Sequence, residues 1–89
     1  MPDITVEQAK AHLTLLGYYP VRYGFPWSKS KFVGIRNATQ VISIKFGNVH
    51  FEPPHILADI RCTEIEWWVL TDDTILRLAK TIDNELIGW

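Results

Sequence analysis

Val41-Ile42-Ser43-Ile44-Lys45-Phe46-Gly47-Asn48-Val49-His50-Phe51 is the stretch from which the fold can be read. Apolar and polar side chains alternate on both sides of a Gly-Asn pair, the pattern of two antiparallel strands joined by a tight turn. Gly and Asn accept the positive φ of a two-residue turn at the lowest steric cost, so the turn is expected at Gly47-Asn48. That register pairs Phe46 with Val49 and Ile44 with Phe51 on one face, and Lys45 with His50 on the other. Pro53-Pro54 then ends the second strand, because proline brings no N–H to a ladder.

Upstream of the hairpin the chain gives two more strands and a helix. Phe32 to Arg36 reads as a short strand, with a turn around Asn37 to Thr39. Tyr19, Val21, Tyr23 and Phe25 alternate with Pro20, Arg22 and Gly24, which is extended backbone with its rings on one face. Pro20 cannot donate a ladder bond, so this strand is expected at a sheet edge. Pro26 to Ser30 reads as a loop displaying Trp27 beside Lys29 and Lys31. Before it, Thr5 caps a helix to about Leu16, with Val6, Ala9, Leu13 and Leu16 as its apolar stripe and Gly17 as its stop.

Downstream, His55 to Cys62 fits either a short helical turn or a strand. Thr63 to Leu70 alternates as a strand, with Ile65, Trp67 and Val69 on one side and Glu64, Glu66, Trp68 and Leu70 on the other. Adjacent residues of a strand face opposite ways, so Trp67 and Trp68 cannot share a core, and one is expected on the open sheet face. Thr71 caps a last helix with Asp72 and Asp73 in its first turn. Ile75, Leu78, Ile82 and Leu86 form its stripe, and Gly88 closes it. The expected class is α+β: an N-terminal helix, an antiparallel meander of four to five strands and a C-terminal helix, with both helices on one sheet face. The other face must be solvated, covered or sticky.

The totals narrow the function classes. The 89 residues are expected to form one domain, with 47% hydrophobic and 21% charged residues excluding a disordered chain. Cys62 is the only cysteine, so no internal disulfide forms. Met1-Pro2-Asp3 lacks a secretory signal and no apolar run suits a membrane span, so a cytoplasmic protein without membrane partners is expected.

A net charge of −1 conceals two opposed halves. Tyr19 to His50 carries Arg22, Lys29, Lys31, Arg36 and Lys45 without one carboxylate, interleaved with aromatic rings. Phe51 to Trp89 carries eight carboxylates against Arg61, Arg77 and Lys80. Cations among rings suit a phosphate backbone or an acidic protein surface.

Catalytic and metal motifs fail on inspection. His50-Phe51-Glu52 with Pro53-Pro54 has the His-x-Glu half of a zinc deaminase signature, but of the two cysteines that would complete it only Cys62 follows. His50, His55 and Cys62 have no standard ligand spacing. No Gly-x-Ser-x-Gly elbow, phosphate-binding loop or dinucleotide fingerprint occurs. The expectation is therefore no enzyme, no cofactor and no metal.

What remains is a small binding protein, a stoichiometric inhibitor or adaptor that occupies a surface on a macromolecular partner. Phage-type anti-defence inhibitors are an example of that class. The residues expected to carry binding are Arg22, Trp27, Lys29, Lys31, Arg36 and Trp68. A nucleic-acid-binding module using residues 19–50 is the alternative. Pairing of two copies through the open sheet face or the Pro20 strand, a homo-oligomer, comes third.

Overall fold

The computed structural model describes residues 4–82. Helix α1 (Val6–Leu15) leads into strands β1 (Tyr19–Gly24), β2 (Phe32–Arg36), β3 (Val41–Lys45) and β4 (Asn48–Glu52). A 3₁₀ turn (Pro54–Ile56), strand β5 (Arg61–Glu64), a second 3₁₀ turn (Trp67–Val69) and helix α2 (Asp72–Ile82) complete the order. The architecture is α+β as expected, with a five-stranded antiparallel sheet in the order β4-β3-β2-β1-β5.

The helices begin where the capping chemistry places them. The Thr5 hydroxyl accepts from the Gln8 N–H at 3.1 Å, and the Gln8 side chain accepts from the Thr5 N–H at 2.8 Å. Gly17, at φ 83°, turns the chain out of α1. Thr71 accepts from the Thr74 N–H at 3.2 Å to start α2. Ala9 and Leu13 of α1 and Ile75, Leu78 and Ala79 of α2 bury against Ile35 and Ile42 of the sheet. Leu86, Gly88 and Trp89 lie outside the described residues.

That helix-side core takes its strand residues from β2, β3 and β4 alone. A second core forms on the opposite face, where Val21, Tyr23 and Val41 are covered by Ile56, Leu57 and Ile60. The chain leaving β4 crosses the whole sheet to reach β5 at the far edge, and this crossing segment seals the second face. Tyr19, Val21, Tyr23 and Phe25 do share a face, but it is the face away from the helices.

Three expectations are corrected. The hairpin turns at Phe46-Gly47, pairing Lys45 with Asn48, Ile44 with Val49, Ile42 with Phe51 and Ser43 with His50. The expected register would have set Pro53 and Pro54 opposite Ile42 and Val41, where the ladder to β3 would lack a donor. The observed one stops at Glu52 opposite Val41 and leaves both prolines outside the ladder. The slip is by two residues, so every side chain keeps its face.

Second, β1 is central rather than an edge. Proline is tolerated there because its missing N–H faces the very end of the β5 ladder, which stops at Glu64, while the Ile65 N–H still donates to the Pro20 carbonyl at 3.0 Å. Third, the strand predicted over Thr63–Leu70 covers only Arg61–Glu64. The tryptophans ride on the second 3₁₀ turn, whose tighter winding still sends Trp67 into the helix-side core and Trp68 into solvent.

Candidate partner-binding site

The sheet has two ends of unlike chemistry. The β1–β2 loop, the β3–β4 tip and the start of β5 lie at one end. The starts of β1 and α2 and the end of β5 lie at the other.

At the first end, loop 25–31 is tied to itself. The Phe25 carbonyl accepts from the Ser28 N–H at 3.0 Å and from Lys31 Nζ at 2.9 Å, and Ser28 Oγ donates to the Ser30 carbonyl at 3.0 Å. Phe25 packs against the second core. Trp27 stacks on it with ring centroids 4.8 Å apart and planes within 12°, yet is 76% exposed. The indole is thus held from behind and open in front.

The helices cover β2 to β4 and leave the β1–β5 strip of that face open. Arg22 stands on it opposite Thr63, and Arg61 opposite Gly24. The Lys31 stem lies across Gly24, where a Cβ would come within 2.7 Å of its Cδ, so only glycine leaves the lysine this path. Arg22, Lys29, Lys31 and Arg61 are exposed and in no ion pair among the described residues.

The adjacent hairpin adds Phe46, 97% exposed at the tip with φ 54°. Arg77 of α2 donates from Nη2 to the Gly47 carbonyl at 2.6 Å, fixing that tip against the helix.

The structure therefore sets Trp27, Lys29 and Lys31 on one loop at the end of β1, with Trp27 stacked on Phe25 of the second core and Arg22 on the helix-side face of β1. It sets Arg36 and Trp68 apart from them, Arg36 half-buried at the far end of β2 and Trp68 80% exposed on the second 3₁₀ turn. Sequence reasoning missed Arg61 and Phe46. Arg61 joins only through the return of β5 to β1, which no local pattern announces. Phe46 could have been found, because the Pro53-Pro54 pair limits the ladder and so moves the turn.

Lys45 leaves the set of surface cations. Its Nζ bonds Glu52 Oε1 at 2.7 Å and lies 4.4 Å from the centre of the Phe32 ring. Glu52 also faces His50 Nε2 at 3.1 Å, and Tyr23 shares a buried hydrogen bond with Ser43. His50 opposes Ser43, not Lys45 as expected. Burial pushes the Tyr23 phenol above its ordinary range, against the lowering effect of the Ser43 hydrogen bond and the Lys45 charge. These groups are satisfied by one another beneath the second face, an arrangement that fixes the sheet.

Among the described residues, no three His, Cys, Asp or Glu side chains converge to hold a metal ion, and no helix is long and apolar enough to cross a membrane. No known protein-family model matches the chain, and neither a curated protein nor a solved structure is detectably similar to it.

Proposed function

We propose that this chain is a non-enzymatic binding protein, a stoichiometric inhibitor or adaptor, that covers an acidic surface on a protein partner. One observation carries the reading: two outward aromatic side chains, Trp27 and Phe46, stand at the same sheet end as the open strip of Arg22, Lys31 and Arg61. Trp and Arg are the residue types that dominate interface hot spots, and a preformed anchor loses little entropy on docking. The cations steer the approach and the rings supply the buried area. Arg36 and Trp68, at the other end, belong to a different surface. The single thiol of Cys62 suits a reducing compartment such as the cytoplasm.

Nucleic acid is the second reading, favoured by the free face of Trp27, on which a base could stack. The overall charge of −1 speaks against it. Anisotropy of labelled single- and double-stranded oligonucleotides, at low and physiological salt, separates the two. The expected result is no saturable binding at either salt. Saturable binding that weakens with salt and is lost on combined Trp27→Ala, Lys29→Ala and Lys31→Ala substitution would replace the protein partner with nucleic acid. With a protein partner in hand, the same triple substitution is expected to abolish a one-to-one complex while leaving the circular dichroism spectrum unchanged.

A further inference from the structure

The sheet ends at β4 on one side and at β5 on the other, and the two free flanks differ. The Asn37 N–H donates to the Gln40 carbonyl at 3.0 Å, which fixes the alternation along β3. Gln40 and Ile42 bond toward β2, so Val41, Ser43 and Lys45 bond toward Glu52, His50 and Asn48 of β4. The N–H and C=O groups of Val49 and Phe51 therefore point away from the sheet, and none of them meets a hydrogen-bond partner among the described residues. Phe51 is 46% exposed on this strand, whereas Glu52 is buried and held by Lys45 Nζ at 2.7 Å. The β4 flank thus offers open backbone, two apolar side chains and no exposed carboxylate. The β5 flank is guarded instead. The Ile65 N–H bonds to the Pro20 carbonyl, which turns the backbone of Cys62 and Glu64 outward, and Arg61 and Glu64 set exposed charges along it.

We propose that β4 pairs with β4 of a second copy of this chain, antiparallel about a two-fold axis at His50, joining two sheets into one. In that register Val49 of each copy lies opposite Phe51 of the other, and each of these pairs exchanges both N–H···O bonds. The strand is its own complement there, and the neighbouring registers are poorer. One sets Val49 opposite Pro53, which has no N–H. The other sets Phe51 opposite Gly47, which sits in the turn at φ 81° with its carbonyl taken by Arg77 at 2.6 Å. On the helix side each exposed Phe51 ring gains the Val49 side chain of the other copy, itself continuous with the helix-side core. On the opposite face His50 meets His50. One short strand buries less than the roughly 1,200–2,000 Å² of a tight interface, so the association is weak and needs high concentration. The antiparallel join points the two Trp27 ends in opposite directions, each free to take a partner. A monomer would leave that partner-binding reading intact.

The test is sedimentation of the full chain from about 10 µM to about 1 mM, with amide NMR spectra over the same series. The mean mass is expected to rise toward that of two chains. The Val49 and Phe51 amides should shift with concentration, and those of Cys62 and Glu64 should not. A mixture of isotope-labelled and unlabelled protein should give a cross-peak between the His50 Hα protons of the two copies, because the axis makes them an unbonded pair with Cα atoms about 4.5 Å apart. Phe51→Lys keeps every β3–β4 bond and puts a charge on the flank, so it should weaken association about tenfold or more at an unchanged circular dichroism spectrum. Phe51→Tyr should retain the dimer. A monomer at about 1 mM, a dimer whose shifts fall on β5 or on loop 25–31, absence of the His50 cross-peak, or unchanged association of Phe51→Lys would each overturn the proposal.

Discussion

Phe46 occupies a position that two physical preferences oppose. Its φ of 54° brings Cβ against the following carbonyl, at a cost of about 1–2 kcal/mol for a residue that is neither Gly nor Asn. At 97% exposure its ring recovers nothing by burial. Phe46→Asn is therefore expected to raise stability by about 1 kcal/mol, read as a higher urea midpoint at unchanged slope, while weakening partner binding. A lower midpoint would mean that the ring has a contact in the native state. Gly34 shows the opposite economy: a Cβ there would collide with the Ile42 carbonyl oxygen, so the close approach of β2 and β3 admits only glycine. At this scale the sequence was half legible. Thr5, Gly17 and Thr71 announced their caps through local chemistry. Phe46 did not, because the Gly47-Asn48 pair beside it satisfied the same turn rule.

Among the elements, the segment between β4 and β5 decides the most. It contains the stretch read as ambiguous, yet it converts one half-covered sheet into a structure with two cores. Ile60 is 7% exposed beneath it, over Val21, Tyr23 and Val41. Ile60→Ala should destabilise the fold by about 2–4 kcal/mol, measured by chemical denaturation. A cost under about 0.5 kcal/mol would mean that the segment lies loosely and the second face is open. The alternation of β1 to β4 was legible because each strand pairs with its sequence neighbour. The partner of β5 was not, since that pairing is made across the whole sheet and leaves no local trace. Trp67 and Trp68 diverge as expected, but through a 3₁₀ turn, because period two and period three both separate adjacent residues.

Across the whole molecule, the segregation of charge in the sequence becomes a segregation in space. Arg22, Lys29, Lys31 and Arg61 gather at one sheet end, and Glu64, Glu66, Asp72 and Asp73 at the other. The two cores also tie stability to pH. Burial raises the phenols of both Tyr18 and Tyr23 above their ordinary value, despite a hydrogen bond to each. A raised acid is held neutral by the fold, so this contribution is intact below the unfolded value of about 10 and is lost as pH rises beyond it. The melting temperature should accordingly decline above about pH 10, with tyrosinate absorbance appearing together with unfolding. Combined Tyr23→Phe and Ser43→Ala substitution, which removes both hydroxyls, should make that decline shallower. A wild-type melting temperature that stays flat to about pH 11 would contradict the assignment.

Pro20 has one more consequence, in the order of synthesis. Strands β1 to β4 leave the ribosome before Arg61–Glu64, so the flank of β1 that β5 will occupy is a bare edge for that interval. Exposed strand edges recruit other nascent chains. Pro20 withholds one donor from that flank, while its carbonyl still takes the Ile65 N–H in the mature sheet. The residue that looked like the mark of a permanent edge is better understood as the guard of a temporary one.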